Sequence, residues 1–191
     1  METVMYNPSQ KLLEDMIALA KKLIEEEDIK AFTTSCGFNA IFQKGLADAL
    51  DVPVFTSSLL QVPFMQQIIG TKNTVGIITA NKSLLTKDHF DACGFTDDLN
   101  FEVFGLEDCK EWSKMFNEPE ASIDMDAVEK EIVGTAVAAV EKNPSIKGIV
   151  LECTDLPPYA RKISEATGLP VLDIVTLIGY MGISLGEIKM F

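Results

Sequence analysis

Two cysteines, Cys36 and Cys153, stand at matching points of an internal repeat, and a pair of thiols can move a proton between two faces of one carbon. Asp28-Ile-Lys-Ala-Phe-Thr-Thr-Ser-Cys36 aligns with Ser145-Ile-Lys-Gly-Ile-Val-Leu-Glu-Cys153 at an offset of 117 residues (153 − 36). The offset holds without a gap beyond the thiols. Lys44 meets Arg161, Ala49 meets Ala166, Pro53 meets Pro170 and Leu60 meets Leu177. Duplicated units commonly pack face to face about a pseudo-twofold axis, so the repeat predicts two thiols looking across one cleft. Acid/base groups on opposite sides of a carbon are what a proton-swapping enzyme needs.

Each thiol is expected at a strand end, just before a helix. The positive potential of a helix N-terminus stabilises thiolate and predicts thiol pKa values drawn toward neutrality. The alternative for a cysteine of this kind is a small buried hydrophobe. Cys93 and Cys109 have no equivalents in the other half and read as structural. The candidate substrate contacts are Gly37, Phe38 and Asn39 after the first thiol, and Thr154 and Asp155 after the second. Ser57, at the end of the first unit's last strand, can donate to an anion. Thr79 and Ser83 flank the start of the helix after the second unit's first strand, where an anion can bind. Capping explains Thr154, Asp155, Thr79 and Ser83 as well. Strand alternation turns Ser35 and Glu152 to the face opposite the thiols, which makes Glu152 a packing or hydrogen-bonding residue.

The elements that must carry these residues alternate between strand and helix. Asn7-Pro8 reads as N-cap and first residue of a helix whose stripe is Leu12, Leu13, Met16, Ile17, Ala20, Leu23 and Ile24. Buried strands follow at 29–35, 52–56, 73–80, 101–104, 146–152 and 169–174, with helices at 38–50, 59–69, 83–92, 125–142 (capped by Asp124 or Asp126) and 157–167. An acidic, irregular region is expected from Phe104 to about Ser122. Buried strands separated by helices predict an α/β fold with parallel sheets, and the thiols fall at the carboxyl ends of strands, where such sheets bind ligands. The segment Thr74–Asn117 has no counterpart in the first unit. That unit is expected to lack its initial strand and to leave an unpaired edge, which either a second subunit covers or the fold carries as reduced stability.

Composition narrows the function. The chain has 191 residues, 47% apolar and 24% charged, as globular proteins do, and this allows one large domain or two small ones. A formal charge of −13 argues against nucleic acid and anionic membrane as partners. No basic leader followed by an apolar core opens the chain, and four widely spaced cysteines suit a reducing compartment, so a cytoplasmic location is expected. The single histidine, His89, argues against a zinc site or a Ser-His-Asp triad.

Thr34-Ser-Cys36-Gly-Phe, Val75-Gly-Ile-Ile-Thr-Ala80 and Leu151-Glu-Cys153-Thr-Asp-Leu-Pro-Pro-Tyr159 together resemble the aspartate/glutamate racemase superfamily, in order and spacing, over nearly the whole chain. Relatives of that superfamily include hydantoin racemase, maleate isomerase and arylmalonate decarboxylase. The resemblance implies two pseudo-symmetric α/β domains, 1–72 plus 176–191 and 73–175, with the active site between them. It implies catalysis without pyridoxal phosphate, metal or other cofactor, a small carboxylate-bearing substrate and a homodimer. By the same resemblance Cys36 and Cys153 are the two acid/base residues of an amino-acid racemase or epimerase. One-cysteine isomerases and decarboxylases, or a non-catalytic acid-binding relative, remain alternatives. Gly37 stands where many glutamate racemases have asparagine.

Overall fold

The structure is a computed structural model that describes residues 4, 6–118 and 120–189. Its first long helix, α1 (Gln10–Glu27), is capped by Ser9, whose hydroxyl oxygen accepts the Leu12 N–H at 3.2 Å. The sequence pointed to Asn7-Pro8 at this position. Ser9 takes the role because it is the residue whose short oxygen reaches the open N–H groups of the first turn. Strand β1 (Phe32–Thr33) follows, then a 3-10 turn at Gly37–Phe42, helix α2 (Gln43–Ala49), strand β2 (Val54–Phe55) and helix α3 (Gln61–Ile69). Strand β3 (Thr74–Thr79), helix α4 (Lys87–Ala92) and strand β4 (Phe101–Gly105) come next. The chain closes with α5 (Lys110–Asn117), α6 (Met125–Lys142), β5 (Ile146–Leu151), α7 (Ala160–Thr167), β6 (Val171–Leu172) and α8 (Ile174–Ser184).

All strand pairs are parallel. β1 and β2 form a two-stranded sheet, and β4-β3-β5-β6 form a four-stranded one. The repeat is visible in the register. Phe32 pairs with Val54 and Thr33 with Phe55, while Ile149 pairs with Val171 and Val150 with Leu172, each member 117 residues on from its counterpart. β3 and β4 have no equivalent beside β1 among the described residues, so the first sheet ends at β1 with an open edge.

The apolar cores follow the sheets. One face of the large sheet packs Ile78, Ile146, Ile149 and Leu151 against Ile132 and Ala136 of α6 and Ile163 of α7. The other face packs Val75, Ile77 and Val150 against Val62 and Met65 of α3 and Phe38 of the first turn. Strands buried on both faces explain the unbroken apolar runs in the sequence. Burying a side chain such as Ile77 or Leu151 contributes about 1.5–3 kcal/mol each.

The segment expected to be irregular holds α5. Its apolar residues Trp112, Met115 and Phe116 recur at helical spacing, and Trp112 is buried in the core. Tertiary contact completes it: the Glu131 carboxylate of α6 accepts the N–H groups of Glu111 and Trp112 at 3.0 and 2.9 Å. An eight-residue helix is marginal alone, and this anion at its N-terminus supplies what its own sequence does not. No helix among the described residues is long and apolar enough to cross a membrane.

Candidate active site

Cys36 leaves β1 in extended backbone (φ −149°, ψ 119°) and starts the 3-10 turn, in which the Asn39 N–H donates to the Cys36 carbonyl at 3.0 Å. Cys153 leaves β5 into an equivalent turn, closed by the Leu156 N–H on the Cys153 carbonyl at 3.1 Å. The two turns are tied to each other. The Thr154 hydroxyl donates to the Ser35 carbonyl at 2.7 Å, and Ser58, in the turn before α3, donates its hydroxyl to the Leu151 carbonyl at the end of β5. Between them lies a cleft of about 410 Å³ that both cysteines line. Gly37, Phe38, Thr154 and Asp155 line it with them, as do Trp112, Ser113, Phe116 and Asn117 of α5.

The electrostatics differ from the sequence expectation of activated thiols. Burial pushes the Cys36 thiol up, and the N–H groups of Phe38 and Asn39 pull it down without offsetting that desolvation. Burial also raises Cys153, with the negative charges of Glu152 and Asp155 and the neighbouring Cys36 adding to the rise. The expected helix N-termini are short 3-10 turns, Gly37–Phe42 and Pro157–Tyr159, and their partial charge is too small to outweigh desolvation. Both thiols therefore rest protonated. No Lys, Arg or His lines the cleft among the described residues, whereas Glu107, Glu152 and Asp155 do. Nor do these residues place three His, Cys, Asp or Glu side chains together so as to hold a metal ion.

The other sequence candidates do not line the cleft. Asn39 is buried. Ser57 is buried and accepts the Leu59 N–H, capping the turn before α3. Thr79 is buried and donates to the Glu152 carboxylate at 2.7 Å. Ser83 is exposed and donates to the Asn81 side chain at 2.6 Å. The hydroxyls of Ser57, Thr79 and Ser83 each serve the local backbone or a neighbouring side chain, whereas the Asn39 side-chain oxygen is buried without a partner. Cys93 is buried among Phe38 and Leu85, with its thiol pushed up to about 12 by desolvation, and Cys109 precedes α5.

Sequence reasoning missed α5 as part of the cleft lining and did not place Glu152 beside the thiols. The 112-115-116 apolar spacing was the available signal for α5. Glu152 is the packing and hydrogen-bonding residue that the sequence predicts, buried and accepting from Thr79, but it does not turn away from the thiols, because strand alternation ends with the strand. β5 stops at Leu151, and Glu152 turns its buried side chain against the first turn and onto the cleft. A Cβ on Gly37 would sit 2.2 Å from both Glu152 Oε1 and the Glu152 carbonyl oxygen. Glycine at this position thus has a local cause: the glutamate fills the space that a side chain at residue 37 would need.

Parallel sheets in pseudo-symmetric register, with a thiol after an equivalent strand of each, define a two-cysteine α/β protein of the racemase type. The family model for the Asp/Glu/Hydantoin racemases matches residues 6–178, and the chain belongs to that family. It is similar to a dimethylsulfoniopropionate lyase of Durusdinium sp. clade D, with 32% identity over 158 residues, covering 80% of this chain and 52% of that protein. Dimethylsulfoniopropionate lyase 6 of Emiliania huxleyi (strain CCMP1516) is 32% identical over 180 residues, covering 88% of this chain and 45% of that protein. The chain spans about half the length of these curated relatives. Among solved structures, a mutant arylmalonate decarboxylase in a sulfate-associated form superposes with a TM-score of 0.62 at 16% identity, over 95% of this chain and 77% of that one. An allantoin racemase from Pseudomonas fluorescens gives 0.58 at 18% identity, over 89% and 71% of the two chains. Both share the fold.

Proposed function

We propose that this chain catalyses proton abstraction next to the carboxylate of a small zwitterion, with Cys36 and Cys153 as a thiol pair that racemises or epimerises the substrate. One observation carries the reading: two cysteines from equivalent strand ends line one cleft. In the working cycle one thiol is ionised. The thiolate takes the α-proton, so a C–H bond breaks and an S–H bond forms. The opposite thiol returns its own proton to the other face and is left as thiolate. Atoms and charge balance without an added reactant, and no cofactor is invoked.

The cleft's charge supports a substrate that carries a positive group as well as its carboxylate. Glu107 and Asp155 line it with no basic side chain among the described residues, and the exposed Phe116 ring lines it beside them. An amino acid's ammonium meets that requirement. So does a sulfonium, and the likeness to dimethylsulfoniopropionate lyases favours a second reading, β-elimination. There the same α-proton leaves to one thiolate, the bond from Cβ to the sulfonium sulfur breaks with its electron pair on sulfur, and a C=C bond forms.

A homodimer in which a second copy covers the open edge of β1 belongs to the same proposal. The exposed apolar side chains Val175 and Ile178, one turn apart on α8, support it.

The test is incubation in deuterated buffer with amino acids and with dimethylsulfoniopropionate, read by NMR. α-Deuteration with inversion supports the racemase, and release of a neutral sulfide supports the lyase. Cys36→Ser and Cys153→Ser are each expected to lower the rate by about 10²–10⁴. Full activity in either variant removes the two-thiol reading.

A further inference from the structure

Of the buried ionisable groups that the thiol-pair mechanism leaves unused, Glu152 is the one that lines the cleft. Glu152 has no exposed surface, and it lies beside both cleft thiols. Its backbone is fixed, since the Glu152 N–H donates to the Ile78 carbonyl at 2.8 Å. Its Oε2 accepts from the Thr79 hydroxyl at 2.7 Å, and its Oε1 is buried without a partner. The side chain packs so tightly on Gly37 that no Cβ fits there. It thereby seats the turn that carries Cys36 against the strand that carries Cys153.

A buried carboxylate with one open oxygen is costly, and a second anion nearby raises that cost. The groups that face Glu152 are Thr79 from β3, Cys36 from the first turn, Cys153 from its own turn and Cys93 after α4. None is a cation. The pocket thus accommodates one negative charge, on the carboxylate or on a thiol, and disfavours two.

We infer that Glu152 is a positioning residue that acts through the thiol pair: it must hold a proton for a cleft cysteine to work as thiolate. The exchange is Glu152 carboxylate plus thiol giving Glu152 carboxylic acid plus thiolate. One S–H bond breaks, one O–H bond forms, and net charge is unchanged. Desolvation raises the Glu152 carboxyl to about 7, so both of its forms are populated near neutral pH. The negative charge on Glu152 in turn raises the thiols of Cys36 and Cys153. Glu152 then sets the pH range over which the pair is competent. The inference deepens the thiol-pair reading and rests on it.

Thiolate can be read without any substrate. Iodoacetamide alkylation of Cys36 and Cys153 is followed by peptide mass spectrometry from pH 6 to pH 10 in the wild type, Glu152→Gln and Thr79→Val. Glu152→Gln keeps the shape and removes the charge. The expected result is a variant-to-wild-type rate ratio near one at pH 6 that climbs through pH 7 to roughly tenfold at pH 8 and above, the size of a close like-charge effect. Thr79→Val removes the bond that favours the ionised carboxyl, so its ratio rises above one just above pH 7 and returns toward one once the carboxyl is ionised in both proteins. It carries the test if Glu152→Gln does not fold. A purely structural role would loosen the turn and raise the rate equally at every pH, and a flat ratio overturns the inference while leaving the thiol pair standing. Thiols inert in all three proteins up to pH 10 overturn both.

Discussion

Replacing Gly37 by alanine is expected to destabilise the fold and to misplace Cys36, and the structure sets the scale. The added methyl would lie 2.2 Å from the Glu152 carbonyl oxygen, 2.2 Å from its Oε1 and 2.7 Å from its Cδ. Relief needs about 1 Å or more of movement at each contact. The side chain can swing only by giving up the Thr79 hydrogen bond, and the carbonyl belongs to backbone leaving a central strand. Overpacking of this kind costs about 1–3 kcal/mol. Loss of the buried hydrogen bond adds about 1 kcal/mol. The sum, about 2–4 kcal/mol, corresponds to a fall in Tm of roughly 5–15 °C for a chain of this size. Gly37 is not among the positive-φ glycines, which are Gly70, Gly94, Gly168 and Gly186, so the effect is steric and not conformational. Gly134→Ala is the matched control. Gly134 lies within α6, and a Cβ there meets nothing within 4 Å, so alanine should stabilise by about 0.5–1 kcal/mol. The assay is thermal and urea unfolding of both variants beside the wild type. A Gly37→Ala protein with unchanged Tm refutes the close-packed arrangement of Glu152 on the Cys36 turn.

Other outcomes follow from the same contacts. The Glu152 carboxyl is raised from 4.5 to about 7 in the folded protein, so its contribution to stability is complete below about pH 4.5 and is lost as the pH rises through 7. That loss is about 3 kcal/mol as an upper figure, and the stability difference between wild type and Glu152→Gln should change across pH 5–8 and be level above it. Asp124 accepts the N–H groups of Asp126 and Ala127 at the start of α6, and Asp124→Ala should cost about 1 kcal/mol in urea unfolding, with the same slope. Sedimentation velocity should show a dimer, and a monomer at every concentration tested would contradict the covered β1 edge.

The strand-and-helix alternation was written in the chain itself. Apolar runs such as Val75-Gly-Ile-Ile could only be strands buried on both faces, and the match at offset 117 required that the two units share a register, as the pairings of Phe32 with Val54 and Ile149 with Val171 show. The equivalence of Cys36 and Cys153 was legible for the same reason, since a repeat places like residues at like points of a fold. Three features needed the folded molecule. Helix α5 forms because Glu131 of α6 caps it and Trp112 finds a core, and neither contact is local in sequence. The resting charge of the thiols is set by how deeply the closed chain buries them, and desolvation outweighs the short turns that sequence reasoning credited with activating them. Glu152 becomes part of the site only when β3, β5 and the Cys36 turn enclose one carboxyl together. Local pattern and repetition determine elements and their symmetry, whereas burial and contacts between distant segments decide what charge each group carries there.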